Sequence, residues 1–200
     1  TFKMASMLAA LDDGLIDPED SIFVGNGERK YGQLTMEDAH PPHFPKLSIQ
    51  QAFETSSNVG ISSAIVARYS KNPQAFIDKI KSFGLGTPLG LEIEGEGTPR
   101  IKNITAEDWS GVSLPWMSIG YETKLTPLQI LAFYNAIANN GRMVRPHFVK
   151  EIQSHGRTIK KFGTEIIRDS IASPAALAKA RKLMEGVVER GSAKELNKSP

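Results

Sequence analysis

The stretch Glu54–Ser62, ETSSNVGIS, sets two hydroxyls and an amide side by side at Ser56, Ser57 and Asn58. It lies between two runs of helical character. Ser48 followed by Gln51 is a capping-box pair, so a helix is predicted from Ile49 to about Thr55. Apolar spacing beyond the polar triplet predicts a second helix from near Val59 to Tyr69. Small polar residues at such a junction serve as caps, because their side chains satisfy N–H groups that the first turn leaves free. A catalytic reading needs more, namely a nucleophile and a base within reach.

Outward from the triplet the chain reads as helix-rich. Met4, Met7, Leu8 and Leu11 recur at helical spacing and Asp12-Asp13-Gly14 ends the run. Asn26-Gly27 is a favoured tight hairpin turn within IFVGNGERKYG. The prolines of DAHPPHFPK mark a loop. A further helix is predicted from about Pro73 to Phe83. GLGTPLGLEIEGEGTPR reads as loop with a short strand at Leu89–Ile93, which would put Glu92, Glu94 and Glu96 on one solvated face. Ile104–Trp109 reads as one helical turn capped by Thr105. Thr126-Pro127-Leu128-Gln129 is the clearest helix start, with a Thr cap, proline at the first position and Gln three residues after the cap. The helix over Leu128–Ala138 is apolar on nearly every side, which predicts burial. Asn139-Asn140-Gly141 ends it. Residues 143–168 read as strands with a hairpin at His155-Gly156, and Ser173-Pro174 opens a last helix ending near Gly191.

Composition removes several function classes. The 200 residues are 40% hydrophobic, enough to bury a core. Twenty-four Lys and Arg against 22 Asp and Glu give a formal charge of +2, and no general reason to expect a nucleic-acid partner. Arg157, Lys160 and Lys161 read as a solvated hairpin. With no cysteine there is no disulfide, thiolate metal ligand or thiol nucleophile. No apolar run approaches the roughly 18 residues of a membrane span. His40 and His43 flank two prolines and do not make a metal pair, and His147 and His155 read as surface residues. Gly25-Asn26-Gly27 and Gly95-Glu96-Gly97 lack the strand, helix and Lys-Ser/Thr context of phosphate loops.

The order of landmarks carries more information than any one of them. Lys3 opens the first helix. After it come LAALDDGLIDP, LSIQQAFETSSNVGIS, FGLGTPLGLEIEGEG, WMSIGYETKLTPLQILAFYNAIANNGRMVRP and MEGVVERGSAK. The series resembles the transpeptidase domain of class B penicillin-binding proteins, of the division (septal) type, over essentially all 200 residues. Lys3 matches the lysine of that family's Ser-x-x-Lys motif, whose serine and lysine share one face of a helix N-terminus. Where many relatives have a second glycine after Gly120-Tyr121, this chain has Glu122.

The resemblance implies an α+β, helix-rich fold, part of the penicillin-binding protein transpeptidase and serine β-lactamase-like fold. Residues 1–200 would form a partial domain, mostly its helical subdomain, lacking most of the central sheet. The nucleophilic serine is expected immediately before Thr1. The third motif, Lys-Ser/Thr-Gly, is expected after the Gly191-Ser192-Ala193 region, so the 200 residues alone are expected to be inactive. The implied activity is D,D-transpeptidation of peptidoglycan stem peptides through a serine acyl-enzyme, with acylation by β-lactams. Lys3 would be the general base, which must be neutral and so needs a lowered pKa. Ser56 would relay a proton towards the leaving nitrogen. Asn58 would orient the substrate amide and hold Lys3 through its oxygen, while Ser57 would point elsewhere. No cofactor and no metal are implied. Implied partners are stem peptides, β-lactam antibiotics and cell-wall synthesis and division proteins, including a membrane glycan polymerase. The implied location is a catalytic domain outside the cytoplasm, anchored in the bacterial inner membrane. Two alternatives stand beside this reading: a related serine acylase (β-lactamase or β-lactam sensor), and a non-catalytic scaffold of the same fold.

Overall fold

A run of eight residues with no polar face, Met4–Leu11, forms the middle of helix α1 (Lys3–Asp12), and every one of them is buried. A helix apolar on all sides belongs inside a layer of other helices. In the computed structural model, which describes residues 2–198, α1 packs against α3 (Asn58–Tyr69), α4 (Pro73–Ser82) and α7 (Pro174–Glu189). Met4, Met7 and Leu8 are fully enclosed, each worth roughly 1.5–3 kcal/mol by burial of its side chain. The core continues through Ile61, Ile65, Phe76, Ile80, Phe83 and Phe133.

The other helices are α2 (Ile49–Glu54), α5 (Ser113–Ser118) and α6 (Pro127–Ala138), followed near the end by a short 3-10 turn at Lys194–Lys198. α2 lies against α3 and α7, and α5 lies against α3. Both predicted capping boxes are formed. Ser48 Oγ accepts from Gln51 N while Gln51 Oε1 accepts from Ser48 N, and Thr126 and Gln129 do the same at α6. Among the described residues the strands form five separate two-stranded antiparallel ladders rather than one sheet. The chain is thus helix-rich α+β, and no helix among the described residues is long and apolar enough to cross a membrane.

Several local expectations need correction. Asn26-Gly27 makes a turn but not a hairpin: β1 (Ser21–Phe23) pairs with β4 (Lys46–Ser48), and β2 (Glu28–Tyr31) pairs with β3 (Leu34–Glu37). The turn only passes the chain from one ladder to the next. Leu89–Ile93 is not a strand, because the Glu96 carboxylate turns inward and accepts from the backbone N–H groups of Leu89, Gly90 and Leu91. Glu92, Glu94 and Glu96 therefore share no strand face. Ile104–Trp109 is a pair of turns rather than a helix, and its capping side chain is Asn103, whose Oδ1 accepts from Thr105 N. α6 is buried on one side only; Leu131 is 62% exposed. The hairpin at His155-Gly156 is formed between β8 (Glu151–Ser154) and β9 (Arg157–Lys161). Both turn residues have positive φ (49° and 72°), as a tight two-residue turn requires. The remaining ladders join β5 (Arg100–Ile101) to β6 (Thr123–Lys124) and β7 (Met143–Val144) to β10 (Ile166–Arg168).

Candidate active site

The α2–α3 junction is built from two opposed hydrogen-bonding patterns. At the end of α2, Ser57 N donates to Ala52 O at 2.8 Å and Ser56 N donates to Phe53 O at 3.0 Å. These are the two bonds of a Schellman ending, and they put Ser56 in the left-handed region, with φ 58°. Glycine is the usual residue there because a Cβ is strained. At the start of α3, Ser57 is the cap and its Oγ accepts from Gly60 N at 2.8 Å. Gly60 is needed for the approach of the two helices, since a Cβ on it would lie 2.7 Å from Ala52 Cβ. One serine thus caps a helix while the other sits in a strained turn with its hydroxyl free for other use.

That hydroxyl meets Lys3. The lysine lies in the first turn of α1, and its Nζ donates to Ser56 Oγ at 3.0 Å and to Ser56 O. Burial lowers the Lys3 pKa to about 8, and the charge of Asp38 opposes the shift. An amine so poised can accept a proton near neutral pH and exchange it with Ser56 Oγ. Lys3 and Ser56 also line one cavity of about 300 Å³, walled by Met4, Phe53, Tyr134 and Met184.

Ser57 points away from this cavity, donating to Asp38 Oδ2 at 2.7 Å. Asn58 is turned to the opposite side, and its Nδ2 donates to Glu37 O at 2.7 Å. Among the described residues the hydrogen bonds of Lys3 go to Ser56, so the expected grip of Asn58 on Lys3 is not made in this arrangement. The residue expected before Thr1, and Thr1 itself, lie outside the described residues.

Two features of the site were not read from the sequence. Asp38 is one; no spacing rule ties it to Lys3. The other is the lock between α2 and α7. Glu54, 6% exposed, accepts from Arg190 Nη2 at 2.7 Å and Gln50 Nε2 at 2.8 Å, and Ser192 N donates to Glu54 O at 2.9 Å. Gly186 and Gly191 make room for it: a Cβ on Gly186 would lie 1.9 Å from Glu54 Oε1, and one on Gly191 2.4 Å from Glu54 O. Glycines and an arginine at fixed spacing in MEGVVERGSAK were the available signal.

Elsewhere along α1, Ser6 Oγ donates to Ser118 O at 2.6 Å, and Gly120 (φ 109°) passes under Phe2, where a Cβ would lie 2.9 Å from Phe2 Cβ. Glu122 follows with φ 62°. A glycine would be unstrained at that position. Glu122 offsets its strain through Oε2, which sits 2.6 Å from Nζ of Lys102, itself only 6% exposed.

A helical layer that presents a lysine on its central helix to a serine at the junction of two others is the architecture of the penicillin-binding transpeptidases. A solved structure of penicillin-binding protein 3 from Mycobacterium tuberculosis, complexed with aztreonam, superposes with a TM-score of 0.78 at 27% identity, covering 96% of this chain and 41% of that one. The family model described as "Penicillin binding protein transpeptidase domain" matches residues 1–200, and the chain belongs to that family. Penicillin-binding protein PbpB of Mycolicibacterium smegmatis is 29% identical over 189 residues, 94% of this chain and 28% of that protein. A probable peptidoglycan D,D-transpeptidase, PenA of Neisseria flavescens, is 27% identical over 189 residues, again 94% of this chain and 42% of the relative. The chain therefore spans well under half the length of these relatives.

Proposed function

We propose that the protein is a peptidoglycan D,D-transpeptidase working through a serine acyl-enzyme, with Lys3 as its base. The observation that carries this reading is the Lys3–Ser56 pair, an amine lowered to about 8 by burial and hydrogen-bonded to a hydroxyl at a strained turn. The family's serine, expected before Thr1, would attack the carbonyl carbon of the penultimate D-Ala. As the C–O bond forms, its proton passes to neutral Lys3 Nζ. The C–N bond to the terminal D-Ala then breaks, and the leaving nitrogen receives a proton through Ser56 Oγ. An amine of a neighbouring stem peptide attacks the ester, loses a proton to the same relay and releases the serine. Asn58, in this reading, turns towards the substrate amide when the cleft is filled. Stem peptides and β-lactams are the proposed ligands. A site outside the cytoplasm, alongside division proteins and a glycan polymerase, is the proposed setting.

The test is intact mass after incubation with a penicillin, on the 200-residue chain and on the polypeptide with its natural flanking sequence. An adduct of one drug on the longer polypeptide, persisting for hours, is the expected result. An adduct that turns over within minutes favours a β-lactamase. No adduct on a folded longer polypeptide favours the scaffold. An adduct on the 200 residues alone overturns the assignment of Lys3.

A further inference from the structure

The charge that acts on Lys3 comes from outside the motifs of the proposed reaction. Asp38 lies just past β3, and both of its carboxylate oxygens are engaged at the start of α3. Oδ2 accepts from Ser57 Oγ at 2.7 Å and Oδ1 accepts from Val59 N at 2.9 Å. A helix N-terminus favours such an anion, because its free N–H groups and dipole are positive. Ser57 Oγ in turn accepts from Gly60 N. The carboxylate and the hydroxyl together close the first turn of α3, while the Schellman bonds close the last turn of α2. Ser56, between them, is held from both flanks with its hydroxyl on Lys3.

The other charged groups around Lys3 are committed elsewhere. Glu54 of α2 is paired with Arg190 at the end of α7, which also holds Glu189. Asp12 lies at the far end of α1 and Arg68 at the far end of α3. Glu37 precedes Asp38, and its backbone carbonyl accepts from Asn58. Asp38 forms no ion pair with Lys3 among the described residues. Its charge reaches the amine across partly buried space, where screening by water is weak.

We propose that Asp38 is a positioning residue of the acyl-transfer site: held by Ser57 and Val59, its carboxylate locks the turn that presents Ser56 and supplies the negative charge that Lys3 faces. The proposal rests on the reading of Lys3 as base. Its consequence is a brake and a tuning at once. A lysine titrating at about 8 is neutral in about one molecule in eleven at pH 7, and removing the opposing charge enlarges that fraction.

Asp38→Asn tests it. The amide oxygen still accepts from Val59 N and the amide nitrogen can donate to Ser57 Oγ, so the junction keeps a contact at both places, the one to Ser57 reversed in direction, and loses its charge. The Lys3 titration is read by NMR of 13Cε-labelled lysine in the 200-residue chain, assigned against Lys3→Met. The pH profile of penicillin acylation is read in parallel on the polypeptide with its natural flanks. The expected result is a fall in the Lys3 midpoint, matched by a shift of the acylation profile to lower pH. Ser57→Ala keeps the charge but loosens its anchor, and is expected to lower the midpoint less; it carries the test if Asp38→Asn does not fold. A Lys3 midpoint unmoved in folded variants overturns the proposal, whatever the acylation does. A midpoint that falls while a measurable acylation profile stays fixed upholds the charge at Lys3 and overturns Lys3 as the base.

Discussion

Replacing Ser56 separates backbone strain from side-chain use. Ser56→Ala keeps the Cβ in the left-handed region at φ 58° and deletes the hydroxyl that accepts from Lys3 at 3.0 Å. That bond lies at a partly exposed site, so its loss is worth about 0.5–1 kcal/mol. Ser56→Gly deletes the same hydroxyl but removes a strain of about 1–2 kcal/mol. Against this stands about 0.5–1 kcal/mol for the freer unfolded chain that glycine brings. The glycine variant should therefore be about 0.5–1 kcal/mol more stable than the alanine variant, and close to the parent. In a domain of this size 1 kcal/mol moves Tm by roughly 2–4 °C, so thermal unfolding of the three proteins, followed by circular dichroism, resolves the order. In the proposed enzyme both variants lose the proton relay, so the more stable of the two gains nothing in acylation. An alanine variant as stable as the glycine one would refute the argument, because the turn would then carry no strain for glycine to relieve.

The lock between α2 and α7 predicts that Gly186→Ala is severely destabilising. A methyl 1.9 Å from Glu54 Oε1 and 2.8 Å from Arg190 Nη2 must drive that pair apart, and the overpacking alone costs about 1–3 kcal/mol, measurable by urea unfolding. Glu122→Gly relaxes a residue at φ 62° but leaves the amine of Lys102 with Asp108 alone, which is 70% exposed. It should melt below the parent; a higher Tm would show that the Glu122 pair adds less than the backbone strain removes. Lys3 binds its proton up to about pH 8 when folded and to about 10.5 when unfolded. The unfolded chain therefore holds more protons on this residue between those values, so the contribution of Lys3 to stability should rise with pH across that window and be flat below it. Lys3→Met should lack the rise, which unfolding at a series of pH values would detect.

The contrast between what could and could not be read from the chain has a physical origin. Periodicity and caps are local, so α1, α2, α3, α6 and α7 were legible to within a few residues, with Ser48, Thr126 and Ser173 as their caps. Strand partners are not local. The turn at Asn26-Gly27 was recognised by its chemistry, yet β1 finds its partner in β4, beyond the local β2–β3 hairpin, and no local pattern announces that pairing. The alternating acids near Glu96 misled for a related reason. Alternation predicts a strand only if the backbone N–H groups look for another strand, and here three of them find the Glu96 carboxylate. α5 was missed because SLPWMS offers six residues, too few for a period to show.

The site divides along the same line. Ser56, Ser57 and Asn58 could be found by composition, and Lys3 by its place in a series of landmarks, because those signals are identities at positions. Asp38 and the Glu54–Arg190 lock could not, because they are contacts made across 19 to 136 residues of sequence. The conformation of Ser56 lies between the two. Propensity favours glycine in a left-handed position after a helix, so a serine there contradicts the local rule. Violations of that kind gather where a side chain is wanted for something other than folding. Had the geometry been known without the identity of the residue, glycine would have been the choice; the serine in its place, with its hydroxyl on a lysine of lowered pKa, is what directs attention to chemistry at this turn.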